Sequence, residues 1–323
     1  MRRDQPQFPV YIVSKGRWQH ERRKTARFFD AINLPYFIVV EEQERQAYAE
    51  VTDPKKILVL DKTYQRDYDT CDELGDSKTK GSGPARNFVW DHAVASGAEY
   101  HWVVDDNFNN FLRYHCNRRI PVADGTIFHC MEDFVLRYRN IALAGPNYRM
   151  FVASRSSWKP FRLNTRIYSC ILIRNDIPFR WRARYNEDTD LSLRVLKAKW
   201  CTVLFNTFLG DKSWTMQVKG GNTDELYDGK IFAERTMNKS KMIAALHPDV
   251  TRVTFRFQRW HHLVDYRPFK NLKPILREGI KIPQDVDEYG MILKVSDGYR
   301  RQKTKTDASQ VDYRQSRQAP SAA

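Results

Sequence analysis

The sequence predicts an α/β domain built on a mostly parallel sheet flanked by helices, a single large domain with a C-terminal extension. Three observations predict it. Short β-branched runs alternate with helix-length polar segments over the first 110 residues, the pattern of βαβ units. A Gly83-Pro84 pair opens a helix just before the fourth run, with proline where its missing N–H costs little. At 323 residues and 41% hydrophobic content the chain can bury a large core, yet no stretch approaches the roughly 20 apolar residues of a membrane span.

In order, Phe8 to Ser14 (FPVYIVS) reads as the first strand and stops at Lys15-Gly16-Arg17. Trp18 to Ala31 reads as helix, Tyr36 to Val40 (YFIVV) as a strand, and Glu41 to Glu50 as helix. Ile57 to Leu60 makes a third strand, and the polar segment from Asp61 to Ser82 a loop. Gly83 to about Ala95 is helix, and His101 to Val104 the fourth strand. That strand ends in Asp105, Asp106 and Asn107, at the carboxyl edge where ligands bind in open α/β sheets.

The second half is less regular. Phe134 to Asn175 contains eight basic residues and no acidic one, with aromatics such as Tyr148, Phe151 and Trp158 interleaved. Tyr168 to Ile173 is a strand candidate and Asn186 to Lys199 a helix with an acid-crowded first turn. The tail from Ser296 reads as disordered and weakly basic.

Bulk charge narrows the partners. A formal charge of +15 and a pI near 9.6 point to a polyanion, nucleic acid or a phosphorylated substrate, more than to a membrane surface. Five cysteines at irregular spacing, with no CxxC pair, argue against a disulfide framework or a zinc site. No signal peptide is recognisable, so a reducing cytoplasm is expected.

Four constellations carry candidate chemistry. Asp105-Asp106-Asn107 suits Mg²⁺ or Mn²⁺ held beside substrate phosphates, though it equally suits a helix cap or Asx turn. Arg86 and Asn87 lie in the first turns of the Gly-Pro helix, where free N–H groups favour an anion; a solvated arginine is the plain alternative. Glu187, Asp188 and Asp190 crowd one helix start. Capping accounts for one or two, and another can be a general base. Lys219 to Gly229, with paired glycines, reads as a lid, and His261-His262 as a metal or phosphate contact or as structural residues.

Taken together, VYIVSKGR, GPARN, WVVDDN and NEDTD resemble a GT-A (Rossmann-like) glycosyltransferase over roughly residues 8 to 270. More narrowly they resemble the phage-borne glycosyltransferases associated with TET/JBP oxygenases, sugar transferases acting on hydroxymethylated pyrimidines in viral DNA. The resemblance implies a nucleotide-sugar-binding half at 1–110 and an acceptor-binding, catalytic half at 111–270, followed by an extension at 271–295 and the tail at 296–323. It implies Ser14, Lys15, Gly16 and Arg17 beside the nucleotide, with Arg86, Asn87 and Asp105 near its ribose or diphosphate. Asp105, Asp106 and Asn107 match the DxD-type metal position, where Asn107 departs from the usual final Asp; His262 would complete the metal shell. Asp188 matches the base of inverting enzymes, with Glu187 beside it. A UDP-sugar donor, Mn²⁺ or Mg²⁺, hydroxymethylated DNA as acceptor (most simply 5-hydroxymethylcytosine) and the host cytoplasm follow from the same resemblance. Three other readings stay open: a transferase acting on a polysaccharide or protein glycan; a two-metal nuclease or nucleotidyltransferase using Asp105, Asp106, Asp188 and Asp190; and a non-catalytic DNA-binding protein.

Overall fold

The computed structural model describes residues 3–19, 21–75, 79–154, 158–213 and 232–282. Strands β1 (Val10–Val13), β2 (Phe37–Val40), β3 (Ile57–Val59) and β4 (Tyr100–Asp105) pair in the parallel order β3-β2-β1-β4. They are short and β-branched, and β1 and β4 are buried on both sides, as a covered parallel sheet requires. Beyond β4 the order continues through β9 (Cys170–Arg174), β7 (Ile141–Tyr148), β10 (Cys201–Lys212), β5 (Phe108–His115) and β6 (Arg118–Pro121), with β8 (Phe161–Leu163) also on β10. β9 is antiparallel to both β4 and β7, whereas β7 and β10 are parallel. The carboxyl ends of β4 and β10 therefore share one edge, which brings Asp105 and Lys212 together across 107 residues of sequence.

Alternation sorts side chains into two cores. Trp102 and Val104 face the side covered by α1 (Lys24–Ala31) and α5 (Thr126–Leu136), against Phe29, Phe111 and Phe128. Val103 faces the other, beneath α4 (Gly83–Ala95) and α6 (Glu187–Lys197), with Trp90, Leu191 and Val195. Gly83 is required by packing: a Cβ there would stand 1.8 Å from the Tyr68 hydroxyl, which donates to the Ala183 carbonyl.

The structure departs from expectation in several elements. The helix expected from Trp18 starts only at Lys24, because residues 14–19 are drawn back onto Tyr48, whose hydroxyl accepts from Arg17 N–H while Trp18 meets its ring. The helix expected over 41–50 is a 3₁₀ turn followed by α2 (Arg45–Ala49). The segment from Asp61 contains α3 (Lys62–Arg66), N-capped by the Asp61 side chain on Thr63 N–H. Farther along that segment, the buried Arg184 donates to Asp72 and to the carbonyls of Gly75 and Thr79.

Past the main sheet, α7 (Phe232–Leu246) and a separate hairpin, β11 (Thr251–Arg256) and β12 (Arg259–Val264), follow. The chain then returns to the sheet, where Arg139 and Arg277 N–H groups donate to the Ile275 and Arg137 carbonyls. The extension expected at 271–295 is thus laced to the domain as far as Arg277; residues 283–295 and the tail at 296–323 lie outside the described residues. One continuous sheet spans the boundary expected at residue 110.

Candidate active site

The turn after β4 is fixed through its backbone. Thr25, in the first turn of α1, donates its N–H to the Asp106 carbonyl and its hydroxyl to that of Asp105, while accepting from Phe108 N–H. No helix follows, so Asp105-Asp106-Asn107 is not an N-cap; the next element is β5. The two adjacent carboxylates then diverge. Asp105 accepts from Arg86 (2.8 Å) and from the Lys212 ammonium (2.6 Å). Burial opposes its ionisation, but the two cations prevail and hold its carboxyl well below the usual range. Asp106, which also lines the cavity, accepts from Ser14 and Arg17. There burial prevails and raises its pKa, only partly offset by Arg17.

Arg86 joins this strand end to α6. From the first turn of α4 it reaches Asp105 and stands 3.5 Å from Glu187, which also accepts from Ser82. Glu187 is thereby anchored, and burial pushes its carboxyl up. Asp188, the next residue, lines the open cavity of about 550 Å³ that the strand end also lines, within the range of small-molecule sites. Its Oδ1 accepts from the N–H and hydroxyl of Thr189. Left-handed Asn186 (φ 55°) precedes the pair and ties it to α7 through the Lys239 carbonyl. Asp190 turns away, fully buried among Arg182, Arg194 and His247. This removes it from any shared site with Asp105 and weakens the two-metal nuclease reading.

A family model described as TET-Associated Glycosyltransferase matches residues 8–221. The chain belongs to the TET-associated glycosyltransferases. It is accordingly a sugar transferase, and the matched span carries the strand end, α4 and α6. Comparison with curated proteins finds no match. No helix among the described residues is long and apolar enough to cross a membrane.

In this TET-associated glycosyltransferase most of the expected site residues converge. Ser14, Lys15, Arg17, Arg86 and Asp105 border the cavity on one side, and Asp188 and His262 on another. Gly16 contributes a left-handed turn whose N–H donates to Glu44. Asn87 does not reach the cavity: its amide clamps the Trp181 backbone in both directions, because the second residue of that turn faces α6's approach. His262 sits beside Arg166 (3.5 Å) rather than with Asp105. Burial and the cations Arg166 and Lys239 lower its pKa to about 3, so it is neutral at physiological pH. The glycine loop at Lys219 to Gly229 lies outside the described residues.

Sequence reasoning missed Lys212, Ser169 and Lys239. Lys212 donates to both Asp105 and the Ser169 hydroxyl, which also meets the Tyr148 hydroxyl at 2.5 Å. Ser169 holds a left-handed φ of 63°, local strain of the kind concentrated at functional sites. The signal available was positional: a long apolar strand ending in Gly210-Asp211-Lys212 is the same strand-end cue that marks Asp105. The basic, aromatic segment from Phe134 to Asn175 does not form one face. Arg166, Tyr148, Phe151 and Tyr168 reach the cavity, whereas Arg174 pairs with Asp176 beside the returning C-terminal segment, because β7 and β9 run oppositely through the sheet.

Among the described residues, no three His, Cys, Asp or Glu side chains are grouped to hold a metal. The strand end offers a smaller donor set. The Asp105 carboxylate faces the cavity, and Asn107 Oδ1 is buried without a hydrogen-bond partner. One carboxylate and one amide oxygen suit a hard cation that takes its other ligands from phosphate and water. Asp106 also lines the cavity, its carboxylate engaged by Ser14 and Arg17 as that of Asp105 is by Arg86 and Lys212.

Proposed function

We propose that this transferase moves a sugar from a nucleotide sugar, UDP-linked, to the hydroxyl of a hydroxymethylated pyrimidine in DNA, most simply 5-hydroxymethylcytosine, with inversion at the anomeric carbon. The observation that carries the reading is the Arg86 guanidinium between Asp105 and Glu187, which fixes a donor-side strand end and a candidate base around one cavity. The 1–110 half, with Ser14, Lys15 and Arg17, takes the nucleotide. The later half takes the acceptor, and the net charge of +15 with Arg166 on the cavity wall favours a polyanion.

A hydroxymethyl group is a weak nucleophile at neutral pH. Asp188 accepts its proton as the oxygen bonds to the anomeric carbon and the bond to the diphosphate oxygen breaks. The electron pair leaves with the nucleoside diphosphate, whose new charge meets Lys212 and Arg86. Mg²⁺ or Mn²⁺, held by Asp105 and Asn107, would add charge neutralisation at the diphosphate. Glu187 positions its neighbour through Ser82 and Arg86.

The test is a screen of nucleotide sugars against hydroxymethylcytosine DNA, read by nucleoside mass spectrometry, with Asp188→Asn alongside. The expected result is a sugar-sized mass gain in the wild type. In Asp188→Asn the rate falls by about 10²- to 10⁴-fold while donor affinity is retained. Full activity in the variant removes Asp188 as base; product on a glycan but never on DNA moves the acceptor class; donor-independent strand scission returns the nuclease.

A further inference from the structure

The β11–β12 hairpin presents at its tip an aromatic ring, Phe257, that meets the edge of His261 at 6.3 Å and otherwise faces outward. Its register pairs Arg256 with Arg259, leaving Phe257 and Gln258 as a two-residue loop. Both adopt left-handed φ, 51° and 57°. Such turns are normally made by Asn-Gly or Gly-Gly, since a side chain at these angles is strained. A phenylalanine here is 88% exposed, so burial does not compensate for the strain. The surroundings are built for an anion. The segment from Thr251 to Val264 has no acidic residue, and Arg252 and Arg256 are exposed on it. Phe255, also exposed, packs edge-on against Trp260 at 5.2 Å. The strand that leaves this turn lines the cavity, through Arg259, Trp260 and His262. Arg259 directly follows the two-residue turn that carries Phe257, so the ring and the cavity wall are neighbours.

We propose that Phe257 is a wedge. It enters the base stack of duplex DNA at the gap left when the acceptor base swings into the cavity, while Arg252 and Arg256 hold the flanking phosphates. An enzyme that works on one base of a duplex must take that base out of the stack, and an inserted apolar side chain stabilises the opened step. The inference rests on the DNA-acceptor reading above and adds a residue beyond the matched span of 8–221.

The experiment compares wild type and Phe257→Ala on the same hydroxymethylcytosine strand, free and annealed, with 2-aminopurine next to the acceptor. Phe257→Ala should lower the duplex-to-single-strand ratio of transfer rates about tenfold, the order expected for losing one base–aromatic stack. The 2-aminopurine fluorescence rise on binding the duplex should shrink in the variant, a signal that needs no turnover. A mismatch opposite the acceptor should restore the ratio. Circular dichroism and melting confirm folding, which truncation of an exposed ring leaves intact. An unchanged ratio and an unchanged fluorescence rise, with the wild type active on DNA, overturn the wedge alone. Equal losses on both substrates overturn it too, since they describe a general stacking surface. A wild type inactive on every hydroxymethylated DNA overturns the acceptor reading first and the wedge with it.

Discussion

On the cavity wall formed by β1, β4 and α4, carboxylates and cations meet at close range: Asp105 with Lys212 and Arg86, Asp106 with Arg17, Glu41 with Lys15. The facing wall, from β12, α7 and the approach to β9, carries Arg166, Lys239, Arg259 and two histidines around Asp188. The first wall nearly balances its charges, four cations to three carboxylates, and is held by side-chain pairs that need no ligand to form. The second concentrates positive charge around one acid. A balanced wall fixes geometry, and an unbalanced one attracts anions; the cavity needs both if it is to orient a diphosphate and receive a polyanion.

The comparison breaks most severely at Arg86. Arg86→Ala leaves Asp105 with one cation and Glu187 with only Ser82. Stripping a partner from a buried pair costs about 3–5 kcal/mol, so denaturant melts should show that loss, with transfer falling below detection. If stability holds and transfer survives, the balanced wall does not organise the site. Lys212→Ala is milder for the fold and still large for chemistry. Turnover should fall by about 10²- to 10³-fold, the usual effect of removing one preorganised charge-stabilising group, and steady-state kinetics on saturating donor measures it.

The smallest effect lies away from both walls. Glu132 is buried beneath β4, accepting from Gln7 and Phe8 N–H groups and the Trp102 indole, with no cation in its reach comparable to Lys212. Burial there pushes its carboxyl from the usual 4.5 up to about 8. A folded pKa above the unfolded one gives stability that is complete below about 4.5 and is lost as pH rises through about 8. Melting temperature should therefore decline by a few degrees over that window, and Glu132→Gln should flatten the decline. An identical slope in the variant assigns it to other groups. Set beside Asp105, Glu132 shows burial prevailing: both carboxyls are buried, but Asp105 has two cations, Lys212 and Arg86, to overcome it.

Much of the β1–β4 side of the cavity was legible in the sequence because its signals are local. The Gly83-Pro84 start placed α4 at Gly83–Ala95 without error, and β1, β2 and β3 fell within two or three residues of expectation. NEDTD was read as a helix start, and Asp188 does face the cavity. The part contributed by β10 and the β11–β12 hairpin was not legible in the same way. Lys212 reaches Asp105 only because β10 joins the sheet three strands away with its carboxyl end at the same edge. The hairpin carries an apolar–polar alternation too short to separate from loop, and its turn lacks the glycine that would have announced it. Asn87 was misplaced because a first-turn residue has two directions open to it, and tertiary packing chose the Trp181 backbone.

One property of the β11–β12 hairpin reaches further. It pairs with no strand of the main sheet, and its residues begin after the family match ends. Substitutions or insertions at its tip shift no register that holds Asp105, Arg86 or Lys212. The tip can therefore be exchanged without displacing those side chains, while Arg259, Trp260 and His262 tie the same hairpin to the cavity wall.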